Sequence, residues 1–137
     1  MDAPQRGTGR PMIALMVEDS ALVRSRLIPM LAAFSGVRVV ACAESEVEAL
    51  AWLRRNRCDL VLLDVSLRGG SGLRLLDALE APGADGAGAP LRVVLTNAAS
   101  EAIRRHCAAH GAAAVFDKSI QLDELFDFLR REHCTLH

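Results

Sequence analysis

The sequence predicts a doubly wound α/β sandwich: one five-stranded parallel sheet with helices on both faces. Three observations carry this expectation. Short apolar runs alternate with helix-period stretches five times along the 137 residues. Most of these runs are apolar throughout rather than at every second position, which marks strands buried on both faces of a parallel sheet. The chain length suits one domain that buries its own core.

Residues 1–11, MDAPQRGTGRP, lack apolar periodicity and read as a mobile leader. Met12–Val17 is the first strand, ended by Glu18-Asp19-Ser20. The stretch after it places Leu22, Val23, Leu27, Met30, Leu31 and Phe34 on one broad helical face, with Pro29 inside it expected to kink the helix. Val37–Cys42, Leu60–Val65, Leu91–Thr96 and Ala113–Phe116 are the remaining strands. Val47–Arg57, Gly72–Leu79, Ser100–His110 and Leu122–Arg131 are the remaining helices, the fourth stopped by Gly111. The expected order is flavodoxin-like, (β/α)5, over residues 12–131, with 132–137 as a tail. Pro82–Pro90, PGADGAGAP, runs from helix to strand, the wrong direction for a phosphate-cradling loop, and reads as a connector.

Composition narrows the function. Sixteen Lys and Arg against 17 Asp and Glu give a net charge of -1, without the basic face that nucleic acid requires. Arg54, Arg55, Arg57, Arg104 and Arg105 read as wet helix faces. Cys42, Cys58, Cys107 and Cys134 form no C-x-x-C pair, and the apolar runs fall far short of a membrane span. A reduced cytoplasmic setting is expected.

Open parallel sheets bind ligands beyond the carboxyl ends of their strands. Those positions hold Glu18 and Asp19, Asp64, Thr96 and Lys118. Each has a bland explanation: Asp19 or Ser20 caps a helix, Asp64 starts a turn, Thr96 bonds local backbone, and Lys118 is a surface charge. Together they form an acidic cavity with one ammonium and one hydroxyl. Gathered carboxylates repel one another unless a cation intervenes, and Mg²⁺ with its preference for oxygen ligands fits such a set. An Asp nucleophile forming an acyl phosphate is chemistry this cavity suits.

On these residues the chain resembles the receiver domain of bacterial two-component response regulators. Glu18-Asp19 looks like that family's metal-binding pair. Leu62-Leu63-Asp64-Val65-Ser66-Leu67-Arg68-Gly69-Gly70-Ser71-Gly72 looks like its phosphoacceptor loop, with Leu67 and Gly72 at the family's offsets. Thr96 and Lys118 fill its hydroxyl and lysine positions. The resemblance implies a phosphorylation-activated switch in which Asp64 is phosphorylated. It further implies that Glu18, Asp19, Asp64 and the Ser66 carbonyl bind Mg²⁺, and that Thr96 and Lys118 hold phosphoryl oxygens. The implied donor is a phosphohistidine on a sensor histidine kinase or phosphotransfer protein, with at most slow autodephosphorylation rather than turnover. The departures are Arg68 and Ser119 at positions usually proline, and Val115 at the usual switch aromatic, with Phe116 one place later and pointing the opposite way. Leu95-Thr96-Asn97 and Phe116-Asp117-Lys118-Ser119 resemble a stand-alone subgroup. With no output domain expected after Arg131, output falls to an unknown protein target. The face of helix four, strand five and helix five is the default by resemblance.

Three rival readings remain. A degenerate receiver would bind a partner without phosphorylation. A haloacid dehalogenase-type phosphatase needs a second aspartate where Ser66 stands, and a cap. A flavodoxin needs a phosphate loop where Glu18-Asp19 would repel phosphate. His106 and His110 are spaced for a shared metal, but with no third ligand evident they read as a solvated face. His133, Cys134 and His137 read as a fraying tail, Cys107 as core filler, and Trp52 as packing for the second helix.

Overall fold

The computed structural model describes residues 10–67, 72–79, 90–97 and 99–136. Most of the expected leader and connector, residues 68–71 of the acceptor loop and His137 lie outside them. The elements are β1 (Met12–Val17), α1 (Ala21–Ser35), β2 (Val37–Ala43), α2 (Glu46–Arg55), β3 (Leu60–Leu63), α3 (Gly72–Leu79), β4 (Leu91–Thr96), α4 (Glu101–Ala109), β5 (Ala114–Asp117) and α5 (Leu122–Leu136). All pairings are parallel, in the order β2-β1-β3-β4-β5. This is the flavodoxin-like order, in which chain direction across the sheet reverses between β1 and β3.

Strand alternation divides the core into two layers. Met12, Ala14, Met16, Leu60, Leu62, Val93 and Leu95 pack with Leu27 and Leu31 of α1 and Leu125, Phe126 and Leu129 of α5. Leu15, Val17, Val61, Leu63 and Val94 face the other way, onto Ala49 of α2, Leu75, Leu76 and Leu79 of α3, and Cys107 of α4. Cys107 is core filler as expected, and Trp52 packs at the rim of the second layer.

Helices α1, α2 and α4 begin where a hydroxyl satisfies a free N–H. Ser20, Ser45 and Ser100 accept from Val23, Glu48 and Ile103 respectively. Helix α1 stops at Gly36, whose left-handed φ of 71° suits glycine, and continues unbroken through Pro29. Its expected apolar face is narrower than the periodicity suggested. Leu27 and Leu31 are buried, but Leu22 and Phe34, at its two ends, are largely exposed.

Three further features differ from the expectation. β3 ends at Leu63 because Asp64 Oδ1 accepts the Ser66 N–H at 3.0 Å, a local turn that diverts the chain from the ladder. β2 carries a bulge opposite Ala14 and Leu15 that skips Val40 and leaves it exposed. α5 runs to Leu136, five residues beyond Arg131, so His133 and Cys134 stand on a helix rather than in a fraying tail. The extension is held from outside: Arg130 Nη1 donates to the Phe34 carbonyl, and His133 Nε2 lies 2.8 Å from the Arg10 carbonyl.

Candidate functional site

The reversal between β1 and β3 opens a crevice at their carboxyl ends, and the two chains leave it as Glu18 and Asp64. Backbone bonds fix both positions. Glu18 N–H donates to Ala43 O at 2.9 Å, and Asp64 N–H donates to Val17 O at 3.1 Å. The Glu18 carbonyl accepts from Arg24 Nη1 at 2.6 Å, and Glu18 Oε2 accepts the Ser20 N–H at 3.1 Å. The first turn of α1 therefore holds the end of β1.

Lys118, just past β5, reaches across this edge. Its Nζ donates to Glu18 Oε1 and to Asp64 Oδ2, both at 2.7 Å. Its own N–H donates to the Thr96 carbonyl at 3.1 Å, which seats it beside β4. Glu18 and Asp64 are buried at 5% and 6% exposure, and Thr96 is fully buried. Two buried carboxylates on one ammonium leave the cluster net negative. Burial alone would lower the lysine pKa, but its hydrogen bonds to Asp64 and Glu18 outweigh that and hold it above 10.5. The sequence-predicted residues thus converge: Glu18, Asp64 and Lys118 in direct contact, Thr96 behind the lysine backbone, and Asp19 half-buried next to Glu18. Ser20, one of the two bland capping candidates, is indeed the cap.

One further residue is fixed by geometry. Gly72, the first residue of α3, lies so close to the acceptor segment that a Cβ there would sit 2.0 Å from Asp64 O and 2.7 Å from Val65 Cα. Its N–H also donates to Val65 O at 3.3 Å. Only glycine allows this approach. The family resemblance singled it out, but not its reason.

Arg104 is the residue that sequence reasoning misread. It is not a solvated charge: its guanidinium donates to Val115 O at 2.7 Å, Gln121 Oε1 at 2.6 Å and Ala99 O at 3.3 Å. Gln121 Oε1 also accepts the Asp117 N–H at 2.9 Å, and Ser119 Oγ bonds Asn97 Oδ1 at 3.0 Å. These bonds join α4 to β5 and to the start of α5. The missed signal is the glutamine four residues past Asp117, a partner for a fixed fork of donors. Val115 packs with the second core layer, whereas Phe116 faces the first and sits 5.7 Å from the Phe128 ring. The aromatic does point away from α4, as expected.

A buried carboxylate bridged to lysine thus stands in the crevice where an open parallel sheet of this strand order binds its ligand, the arrangement of a signal-receiving α/β domain. Residues 14–130 match the response regulator receiver domain family, and the chain belongs to it. As such it is a phosphorylation-activated signalling switch in the two-component class, not a haloacid dehalogenase or a flavodoxin. It is 39% identical over 59 residues to response regulator UvrY of Escherichia coli K12, covering 43% of this chain and 27% of that protein. Over 105 residues it is 36% identical to protein-glutamate methylesterase/protein-glutamine glutaminase 5 of Myxococcus xanthus, covering 77% and 29%. The matches thus span less than a third of these relatives. Among solved structures, the Mn²⁺-bound form of response regulator Rcp1 is 25% identical, with a TM-score of 0.69 over 88% of this chain and 91% of that one.

Proposed function

We propose that Asp64 accepts a phosphoryl group from a phosphohistidine on a sensor histidine kinase or phosphotransfer protein. The observation that carries this reading is the buried Asp64 carboxylate held 2.7 Å from Lys118 Nζ, beside Glu18. A carboxylate oxygen of Asp64 attacks phosphorus in line. The P–N bond breaks, and the imidazole leaves with its electron pair and takes up a proton. Lys118 and Thr96 hold phosphoryl oxygens as charge builds on them. The donor set of Glu18, Asp19, Asp64 and the Ser66 carbonyl is all hard oxygen with excess negative charge, which fits Mg²⁺. Held by these residues, Mg²⁺ would supply charge neutralisation for the transferring group. The Mn²⁺-bound relative supports a divalent ion in this family.

Donor approach is supported by a groove of about 360 Å³ between α1 and the start of α5, lined by Val23, Arg26, Met30, Asn97, Leu122 and Lys118. Leu22 and Ile120, at the same sheet edge, are 60% and 79% exposed. The α4-β5-α5 face serves as the output surface towards a protein target. Among the described residues no helix is long and apolar enough to cross a membrane, and a cytoplasmic setting agrees with the free thiols.

Incubation with acetyl phosphate and Mg²⁺, followed by intact-mass measurement, is the direct test. One added phosphate is expected in the wild type and none in Asp64→Ala. Equal labelling of that variant would overturn the assignment. No labelling of either protein would favour a receiver that binds its partner without phosphorylation.

A further inference from the structure

The i, i+4 histidines of α4 acquire in the fold the third ligand that the sequence did not reveal. Asp77, on α3, brings its Oδ1 to 2.7 Å from His110 Nδ1. The His106 and His110 rings stack with centroids 4.3 Å apart and planes 21° from parallel. One ligand atom from each of Asp77, His106 and His110 lies within 4.8 Å of the other two. We propose that these three side chains form a binding site for a divalent cation of the Zn²⁺ class, bridging α3 and α4.

Donor chemistry selects the ion. Two imidazoles and one carboxylate match the borderline, tetrahedral preference of Zn²⁺, with a fourth position left for water. Mg²⁺ and Ca²⁺ prefer oxygen ligands and discriminate against this set. Tetrahedral coordination at Zn–N of about 2.05 Å needs ligand atoms roughly 3.3 Å apart. Modest side-chain rotations reach that value by opening the 2.7 Å Asp77–His110 contact and closing the wider spacings of up to 4.8 Å, and the partial exposure of all three residues leaves room for them. The contact in hand is an ion pair or hydrogen bond in which a proton occupies the place the metal would take.

The position gives the site a consequence. His106 and His110 stand in the last turn and at the cap of α4, whereas Asp77 belongs to the helix whose first residue touches the Asp64 backbone. An ion held there ties the far end of α4 to α3, on the opposite end of α4 from Ser100. Zinc availability thereby acts on a helix of the proposed output face.

Zinc titration of the EDTA-stripped full chain, calorimetrically and in excess Mg²⁺ to occupy the acidic crevice, tests the proposal. One Zn²⁺ per chain is expected, with Co²⁺ giving the intense visible absorption of a tetrahedral site. His106→Ala, His110→Ala and Asp77→Asn should each weaken binding by about tenfold or more. Folding of each variant is checked by circular dichroism. His133→Ala/Cys134→Ser should leave the affinity unchanged and serves as control for the α5 pair. Absence of binding would overturn the site, as would affinity lost in the α5 control but kept in the α4 variants. Loss with the histidines alone, Asp77→Asn binding normally, would overturn the bridge to α3.

Discussion

The acceptor crevice and the α4-β5-α5 face solve the same problem, joining separate elements, by different means. In the crevice the join is a buried charge cluster: one ammonium spans two carboxylates from β1 and β3, in a setting where unpaired charge is costly. On the proposed output face the join is spread out, one guanidinium cation meeting neutral acceptors. Arg104 bonds two backbone carbonyls and Gln121, and Val115 stands where an aromatic is usual. The difference teaches that the crevice is tightly constrained by charge, whereas the contacts joining α4, β5 and α5 are built from ordinary hydrogen bonds.

Substitutions that separate the two regions sharpen the contrast. Lys118→Met leaves Glu18 and Asp64 buried without their cation, and breaking a buried ion pair in this way costs about 3 kcal/mol. Urea unfolding without divalent metal measures it, and Mg²⁺ should recover part of the loss. Glu18→Gln, which removes one of the two carboxylates and spares the Lys118–Asp64 pair, should cost far less. Equal losses in the two variants would mean that the cluster is not organised around the lysine.

Gly72→Ala should cost about 3 kcal/mol, the upper end of over-packing, because the contact it creates is with backbone and not with a yielding side chain. Its urea midpoint should fall, and acetyl-phosphate labelling should fall with it. On the proposed output face, Arg104→Ala should lose about 1–2 kcal/mol while leaving labelling of Asp64 unchanged. Its neighbour Arg105, which is exposed and pairs with Glu101, should lose no more than about 0.5 kcal/mol as Arg105→Ala. If the two arginines behave alike, Arg104 does not hold α4 to β5 and α5.

The crevice also has a pH signature. The folded-state pKa of Lys118 is raised, so its stabilisation is complete below the ordinary value of 10.5 and is lost as pH climbs through the higher folded value. Wild type and Lys118→Met should therefore converge in stability at strongly alkaline pH. The smallest expected effect is in thiol reactivity. Burial pushes the Cys58 thiol up to about 11, against weaker opposing backbone hydrogen bonds, so it should react with Ellman's reagent well after the exposed Cys42 and Cys134.

Much of this was legible in the sequence, for identifiable reasons. Apolar runs such as Leu60–Leu63 are unambiguous because both faces of a central strand are buried, and the polar residue after such a run must lie at the sheet edge. Glu18 and Asp64 were readable for that reason, and Lys118 lies one residue past the polar Asp117 that ends β5. Arg104 and Asp77 were not, because their partners lie 17 and 33 residues away, across contacts that only the topology makes. Leu22 and Phe34 obey helical spacing yet stay exposed, because periodicity does not reveal where a helix overhangs the sheet. The length of α5 depended on its docking to Phe34 and Arg10, which local pattern does not encode.

The glycine that opens α3 has a mechanical meaning. Where two elements meet through side chains, rotamer changes absorb small displacements and the contact behaves as a soft spring. Here backbone rests on backbone with no room for even one methyl group, so the contact has almost no compliance. A shift of the Asp64 main chain by a fraction of an ångström must be delivered to α3 nearly undiminished.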